Sequence, residues 1–303
     1  MTHIPGIHHI TAISGPAQAN VDYYVGSLGQ KLVKKTVNFD DPGTHHLYYG
    51  NPTGAPGTIL TFFPFANAGP GRAGAGMASA FAYAVPPALL DHLSKVQEAA
   101  GLPQAPRELR FGAEVLGLRD PDGLVVELIA DDAAPDAHGF HSVTLWERDP
   151  EPTIRLLTEA FGYDHVGQET SGRFDRHRLV AKGAERGRVL DVVRSHTPVA
   201  GTPGRGTIHH VAFRARSTDE QAEWIDRMRS FGHRTTPVID RQYFNAIYFR
   251  EPGGVLFEIA TDPPGFAVDE PVETLGTALK LPPQYEKIRD RIEAVLPDLR
   301  VPT

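Results

Sequence analysis

One phrase occurs twice, far apart. Gly6-Ile7-His8-His9-Ile10-Thr11 lies near the start of the chain, and Thr207-Ile208-His209-His210-Val211-Ala212 lies late in it. Each opens an apolar, β-branched run, which reads as a strand. A recurrence of this kind constrains the fold strongly, because repeated units must share a core with one another. The wider grammar also recurs. Four segments each read as a strand, an amphipathic helix ending at glycine, then further strands of which the last is apolar. The helices carry Val21, Tyr24, Val25 and Leu28 before Gly29, then Leu89, Leu93 and Val96 before Gly101. The third carries Ile154, Leu157 and Phe161 before Gly162, and the fourth Trp224, Met228 and Phe231 before Gly232. Helical spacing followed by glycine marks a helix and its stop. Ser217 with Glu220 predicts a capping box on the fourth helix.

The glycines align the opening strands. His9, Phe81 and Ser142 each lie 20 residues before the glycine of their own unit, and His210 lies 22 before Gly232. In the closing strands Glu127 lies 26 after Gly101, and Glu258 lies 26 after Gly232; Phe62 and Val192 fill this slot in the other two units. Only the pairing of unit one with unit four assembles two histidines and a carboxylate: His9, His210 and Glu258. A carboxylate between Phe257 and Ile259 on an apolar strand is costly to bury unless paired or metal-bound. Two histidines and one carboxylate with open coordination positions suit non-haem Fe(II), and Mn(II) accepts the same donors.

Composition narrows the alternatives. The 303 residues include 30 Lys+Arg against 37 Asp+Glu, a formal net charge of −7, which argues against nucleic acid as a partner. No cysteine is present, so disulfides, thiolate zinc and cysteine nucleophiles are excluded. No apolar run reaches the roughly 20 residues of a membrane span, and the first residues lack a signal-peptide pattern. The expectation is a cytoplasmic protein that does not engage the membrane, with a homo-oligomer left open. Gly/Pro-rich linkers occupy residues 66–75 and 197–206. Gly69-Pro70-Gly71-Arg72-Ala73-Gly74 matches a dinucleotide fingerprint formally, but it contains proline and opens no helix. His45-His46 reads as a strand-edge pair, and Glu127 as a relic of the repeat or an interface residue.

The βαβββ grammar, the strand-borne histidines and the terminal glutamate resemble the vicinal oxygen chelate superfamily of glyoxalase I, bleomycin-resistance proteins and extradiol dioxygenases. Within it the chain is most similar to the hydroquinone ring-cleaving dioxygenases. The resemblance rests on the two His-His phrases, His46-Leu47-Tyr48-Tyr49, Gly54-Ala55-Pro56-Gly57-Thr58-Ile59-Leu60-Thr61 and the stretch from Tyr248 to Glu258. It implies an α+β fold of four βαβββ modules forming two pseudo-symmetric domains with a C-terminal helical tail. The expected boundaries are 1–133, 138–262 and 263–303, with a helix over 284–295.

The resemblance places the metal ligands on His9, His210 and Glu258, and the supporting positions on His8, Thr11, His209, Arg241 and Tyr248. Successive residues of a regular strand face opposite ways, so one histidine of each pair should leave the site unless the strand bulges. The choice of the second histidine rests on the family and on Thr11 sharing its face. The implied chemistry is Fe(II)-dependent ring opening of a small aromatic substrate, a hydroquinone, by O₂. His8, His209 or Tyr248 would move protons and Arg241 would stabilise negative charge. The segment Gln242-Tyr243-Phe244-Asn245 departs from the family pattern, which bears on the substrate. Catechol cleavage, a glyoxalase-type lyase and a non-catalytic aromatic binder are the rival readings.

Overall fold

The computed structural model describes residues 3–302; Met1, Thr2 and Thr303, at the outer ends of the expected first and last segments, lie outside the described residues. The first module comprises β1 (Ile7–Ser14), α1 (Ala17–Val21), β2 (Lys31–Asn38), β3 (Asp41–Gly50) and β4 (Ile59–Pro64). The second has β5 (Met77–Val85), α2 (Pro87–Ala99), β6 (Glu108–Arg110), β7 (Ala113–Arg119) and β8 (Val125–Ala130). The third has β9 (Phe140–Glu147), α3 (Glu151–Arg155), β10 (Asp164–Ser171), β11 (Phe174–Val180) and β12 (Val189–Ser195). The fourth has β13 (Thr207–Ala215), α4 (Thr218–Ser230), β14 (Ile239–Asp240), β15 (Phe244–Arg250) and β16 (Leu256–Pro264). These are the four repeated units read from the sequence. The glycines that follow the helices, Gly29, Gly101, Gly162 and Gly232, all have φ between 66° and 82°, the left-handed turn that ends a helix.

Two eight-stranded sheets result, in the orders β14-β15-β16-β13-β1-β4-β3-β2 and β10-β11-β12-β9-β5-β8-β7-β6. Each sheet thus joins one module from each half of the chain, the first with the fourth and the second with the third. The antiparallel β1–β13 and β5–β9 ladders form the two centres. One continuous apolar core lies between the sheets and the helices. Phe161, at the end of the third module's helix, is fully buried against Phe213, Trp224, Phe249 and Phe257 of the fourth. The Tyr24 hydroxyl donates to Asp120, which ties the first module to the second. The linkers lie side by side, bridging at Pro70–Arg205, Arg72–Thr202 and Ala75–Ala200.

The helix faces differ in detail from the spacing rule. α1 and α3 continue as wider π-helical segments, Asp22–Ser27 and Leu156–Ala160, and the first of these turns both Tyr23 and Tyr24 inward. α2 buries Leu90, Leu93 and Gln97, a face rotated by about one residue from the expected one. Phe231 falls past the last turn of α4 and is 37% exposed. Ser217 accepts from the Glu220 N–H as expected, but the Glu220 carboxylate reaches back to the Arg216 N–H rather than to that of Ser217.

The only described α-helix of the C-terminal segment is the five-residue α5 (Arg289–Glu293), preceded by three short 3₁₀ turns. This is shorter than residues 284–295, because Ile292 is the one buried anchor among mostly polar residues. No described helix is long and apolar enough to cross a membrane.

Candidate metal centre

The concave face of the first sheet gathers the residues that the sequence singled out. Parallel pairing of β13 with β16 sets Glu258 beside Ala212, and antiparallel pairing of β1 with β13 sets Thr11 opposite His210. His9 Nε2 and His210 Nε2 lie 3.3 Å apart, and Glu258 Oε2 lies 3.4 Å from the first and 2.9 Å from the second. All three side chains are buried, Glu258 completely. Neither carboxylate oxygen receives a hydrogen bond of regular geometry despite these approaches. Ligand atoms on adjacent positions around an ion at about 2.1 Å stand roughly 3 Å apart, so the donor set fits a divalent metal.

Burial alone would raise the Glu258 pKa, but His9 and His210 outweigh it and hold the carboxyl well below its usual range. Burial lowers the His210 pKa against the opposing pull of Glu258. The site therefore offers an ionised carboxylate and a neutral His210 imidazole, the forms that bind metal.

Both strands bulge at the histidine pairs. On β1 the register passes from Ile7 to His9 while β13 advances one residue; on β13 it passes from His210 to Ile208 while β1 advances one. His8 and His209 are the extra residues, and an unpaired bulge residue escapes the strict alternation of a strand. Each consequently turns toward its neighbour, with Nδ1–Nδ1 distances of 2.9 Å for His8–His9 and 2.8 Å for His209–His210. If the Nε2 atoms face a metal, His9 and His210 carry their protons on Nδ1 and donate to His8 and His209. His8 is buried and held neutral by burial and by the neighbouring His9, which suits it to accept.

A cavity of about 390 Å³ opens over the triad. Its walls include Thr11, His46, Tyr48, Phe63, His209, Arg241, Phe244 and Tyr248. Arg241 Nε donates to Tyr248 Oη at 3.3 Å, and burial together with the Glu258 charge raises the Tyr248 pKa, so the phenol keeps its proton. Thr11 and Thr61 hydroxyls are 2.9 Å apart. His8 does not line this cavity. It borders a separate small cavity with Tyr243 and Phe266.

Three slot assignments are corrected by the registers. Thr61, beside Thr11, faces the site in the first module, whereas Phe62 enters the core against Tyr24. Asp191, beside Thr144, occupies the third-module slot, and Val192 is core. Phe81 is core as well, because β5 bulges between Ala78 and Ala80 and presents Ala80 to the second concavity.

His45-His46 pairs with Val37 and Thr36 of β2, just before the stretch of β3 that also pairs with β4. His45 turns away to bond the Pro297 carbonyl at 2.9 Å, while His46 joins the cavity wall. Its Nε2 contacts Thr61 Oγ1 at 2.9 Å and its Nδ1 contacts Tyr48 Oη at 2.9 Å. The sequence reading missed this chain, although the i, i+2 spacing of His46 and Tyr48 on one strand face was a usable signal.

The sequence model of the Glyoxalase/Bleomycin resistance protein/Dioxygenase superfamily matches residues 6–128 and again 139–259. The chain belongs to this superfamily. It is 46% identical over 302 residues to MhqO of Bacillus subtilis (strain 168), provisionally named a ring-cleaving dioxygenase, covering 95% of this chain and 94% of that one. It is 36% identical to a chlorohydroquinone/hydroquinone 1,2-dioxygenase of Sphingobium indicum, covering 97% of each. A crystal structure of a provisionally named dioxygenase from Bacillus subtilis superposes with a TM-score of 0.92 at 44% identity, covering 100% of this chain and 99% of that one. The two matched spans and this superposition agree with the four-module vicinal oxygen chelate fold described above.

Proposed function

We propose that this protein is a non-haem Fe(II)-dependent dioxygenase that opens the ring of a substituted hydroquinone with O₂. The observation that carries the reading is the convergence of His9, His210 and Glu258 beneath an aromatic-walled cavity. Full-length similarity to proteins named as ring-cleaving and hydroquinone dioxygenases supports it. Fe(II) on this triad would supply the Lewis acidity and the electrons that let an electron-rich ring react with O₂.

The chain's own residues divide the remaining work. Phe63 and Phe244 flank the cavity and would hold a flat ring. Tyr48 can accept the proton of a substrate hydroxyl while donating its own to His46 Nδ1, and the contacts continue through Thr61 to Thr11. His209 accepts at Nδ1 and so presents its Nε2–H toward the cavity, where it can donate to developing negative charge. Arg241 and the protonated Tyr248 form a second donor pair on the opposite wall.

The test is O₂ uptake by protein loaded anaerobically with Fe(II) or Mn(II) and given methylhydroquinone, chlorohydroquinone or catechol, with His210→Ala in parallel. Uptake with hydroquinones, a ring-opened product and loss in the variant are expected. Stoichiometric bound iron without uptake on any diol would leave a lyase or a binding protein.

A further inference from the structure

The second sheet carries the pseudo-symmetric counterpart of the metal centre, and its chemistry is inverted. Glu127, beside Ala82, and Asp191, beside Thr144, occupy the slots that correspond to Glu258. Both are saturated by guanidinium groups. Arg110 donates to Glu127 through two nitrogens, at 2.7 and 2.9 Å. Arg178 donates to Asp191 at 2.8 and 2.9 Å, and Arg176 adds a contact at 3.1 Å. Among the described residues no histidine joins these carboxylates in a group that could hold a cation, and the carboxylates are already neutralised.

What remains open is positive. A cavity of about 670 Å³ is lined by five arginines, Arg72, Arg110, Arg119, Arg173 and Arg176, against three carboxylates. This excess stands out in a chain whose net charge is −7. Three donors on its wall are buried yet unpartnered: Arg110 Nε, Arg176 Nε and Trp146 Nε1, in residues only 4%, 7% and 5% exposed. Buried donors without acceptors cost free energy that an incoming acceptor would recover. Arg173 stacks over Trp146 and Phe174 and makes no ion pair with any described residue. Together these supply a flat apolar wall with guanidinium forks around it.

We infer that this cavity is a second ligand site, distinct from the metal centre, that takes a small unsaturated or aromatic carboxylate. Planar guanidinium forks match a carboxylate. The three lining carboxylates leave too little excess charge for a compact, highly charged phosphate, and the Trp146 wall favours a flat skeleton. The volume lies within the range of small-molecule sites.

The two tryptophans make the test direct, because Trp224 is sealed in the core and Trp146 lines the cavity. The full-length protein is titrated with benzoate and with muconate while its fluorescence is followed, alongside benzamide and inorganic phosphate. Saturable quenching by the carboxylates is expected, absent with the amide and phosphate, and absent in Trp146→Phe. Arg176→Met should weaken half-saturation roughly tenfold or more. Exposed Arg173→Gln, which leaves the buried pairs intact, should weaken it severalfold. Calorimetric titration gives the same ranking independently of fluorescence. Quenching that persists in Trp146→Phe, equal binding of phosphate or benzamide, or no response to either arginine variant in folded protein would overturn the assignment.

Discussion

The Nδ1 atoms of His209 and His210 lie 2.8 Å apart because His209 is the extra residue of a β-bulge. The same relationship holds His8 against His9 at the other histidine of the triad. Each imidazole of the triad thus has a neighbouring imidazole within hydrogen-bonding distance of its Nδ1.

His209→Phe and His8→Phe should each weaken metal retention about 10–100-fold, the usual cost of losing a hydrogen-bond partner behind a ligand. Anaerobic dialysis against graded chelator followed by iron analysis checks this. Affinity equal to that of the unsubstituted protein would show that the imidazole pairs do not orient the ligands.

Arg241 and Tyr248 line the cavity but supply none of the three donor atoms of the triad, so Tyr248→Phe should leave iron content unchanged. The hydroxyl's loss removes one donor and the Arg241 contact at 3.3 Å, and kcat should fall about 10–100-fold. His46→Phe cuts the chain to Tyr48 and Thr61 and should also lower kcat at full iron occupancy. Paired iron and O₂-uptake measurements distinguish these outcomes from metal loss.

Glu147 and Glu251 form a buried acid pair where the two sheets meet, and burial with the Glu251 charge pushes the Glu147 carboxyl up to about 9. The native state keeps a proton that the unfolded chain releases above pH ~4.5, so stability falls as pH rises from there toward 9. Glu147→Gln removes that proton requirement and should stabilise by roughly 1–3 kcal/mol at pH 8. The gain should shrink toward pH 5. Thermal unfolding at the two pH values checks the sign, and a larger gain at pH 5 would contradict it.

Lys34 is fully buried and pairs with Asp269 at 2.7 Å and Glu270 at 2.9 Å, fastening the segment after β16 onto β2. Lys34→Met strands buried Glu270 without its cation and should cost about 3–5 kcal/mol. The segment packs Phe266 against Tyr243 and Tyr48, so hydrogen exchange should rise there and KM should rise with it. Denaturant unfolding gives the first quantity and exchange mass spectrometry the second.

The four modules and the one–four pairing were legible because helix-stopping glycines recur at fixed distances from strand residues. The pairing of two histidine phrases with Glu258 followed from that count, and the choice of the second histidine in each phrase from the family resemblance. The count was too coarse to fix a strand face where the spacing between glycine and strand differs by a residue. Phe62, Phe81 and Val192 each fell one residue off the inward face, and a strand reverses its faces at every step. The bulges that bring His8 and His209 beside their neighbours leave no composition signal of their own. The contacts of His46 with Thr61 and Tyr48 were not legible, because they depend on β4 lying beside β3. The arginine cluster was invisible because its members come from separate strands and loops of two modules.

The β1–β13 ladder has a consequence for how the protein is made. His9 leaves the ribosome early and meets His210 only after 201 further residues, with Glu258 later still. Long loops therefore close at the triad, and closures of high sequence separation come slowly. A nascent chain that has not yet reached Glu258 therefore lacks the third donor of the triad.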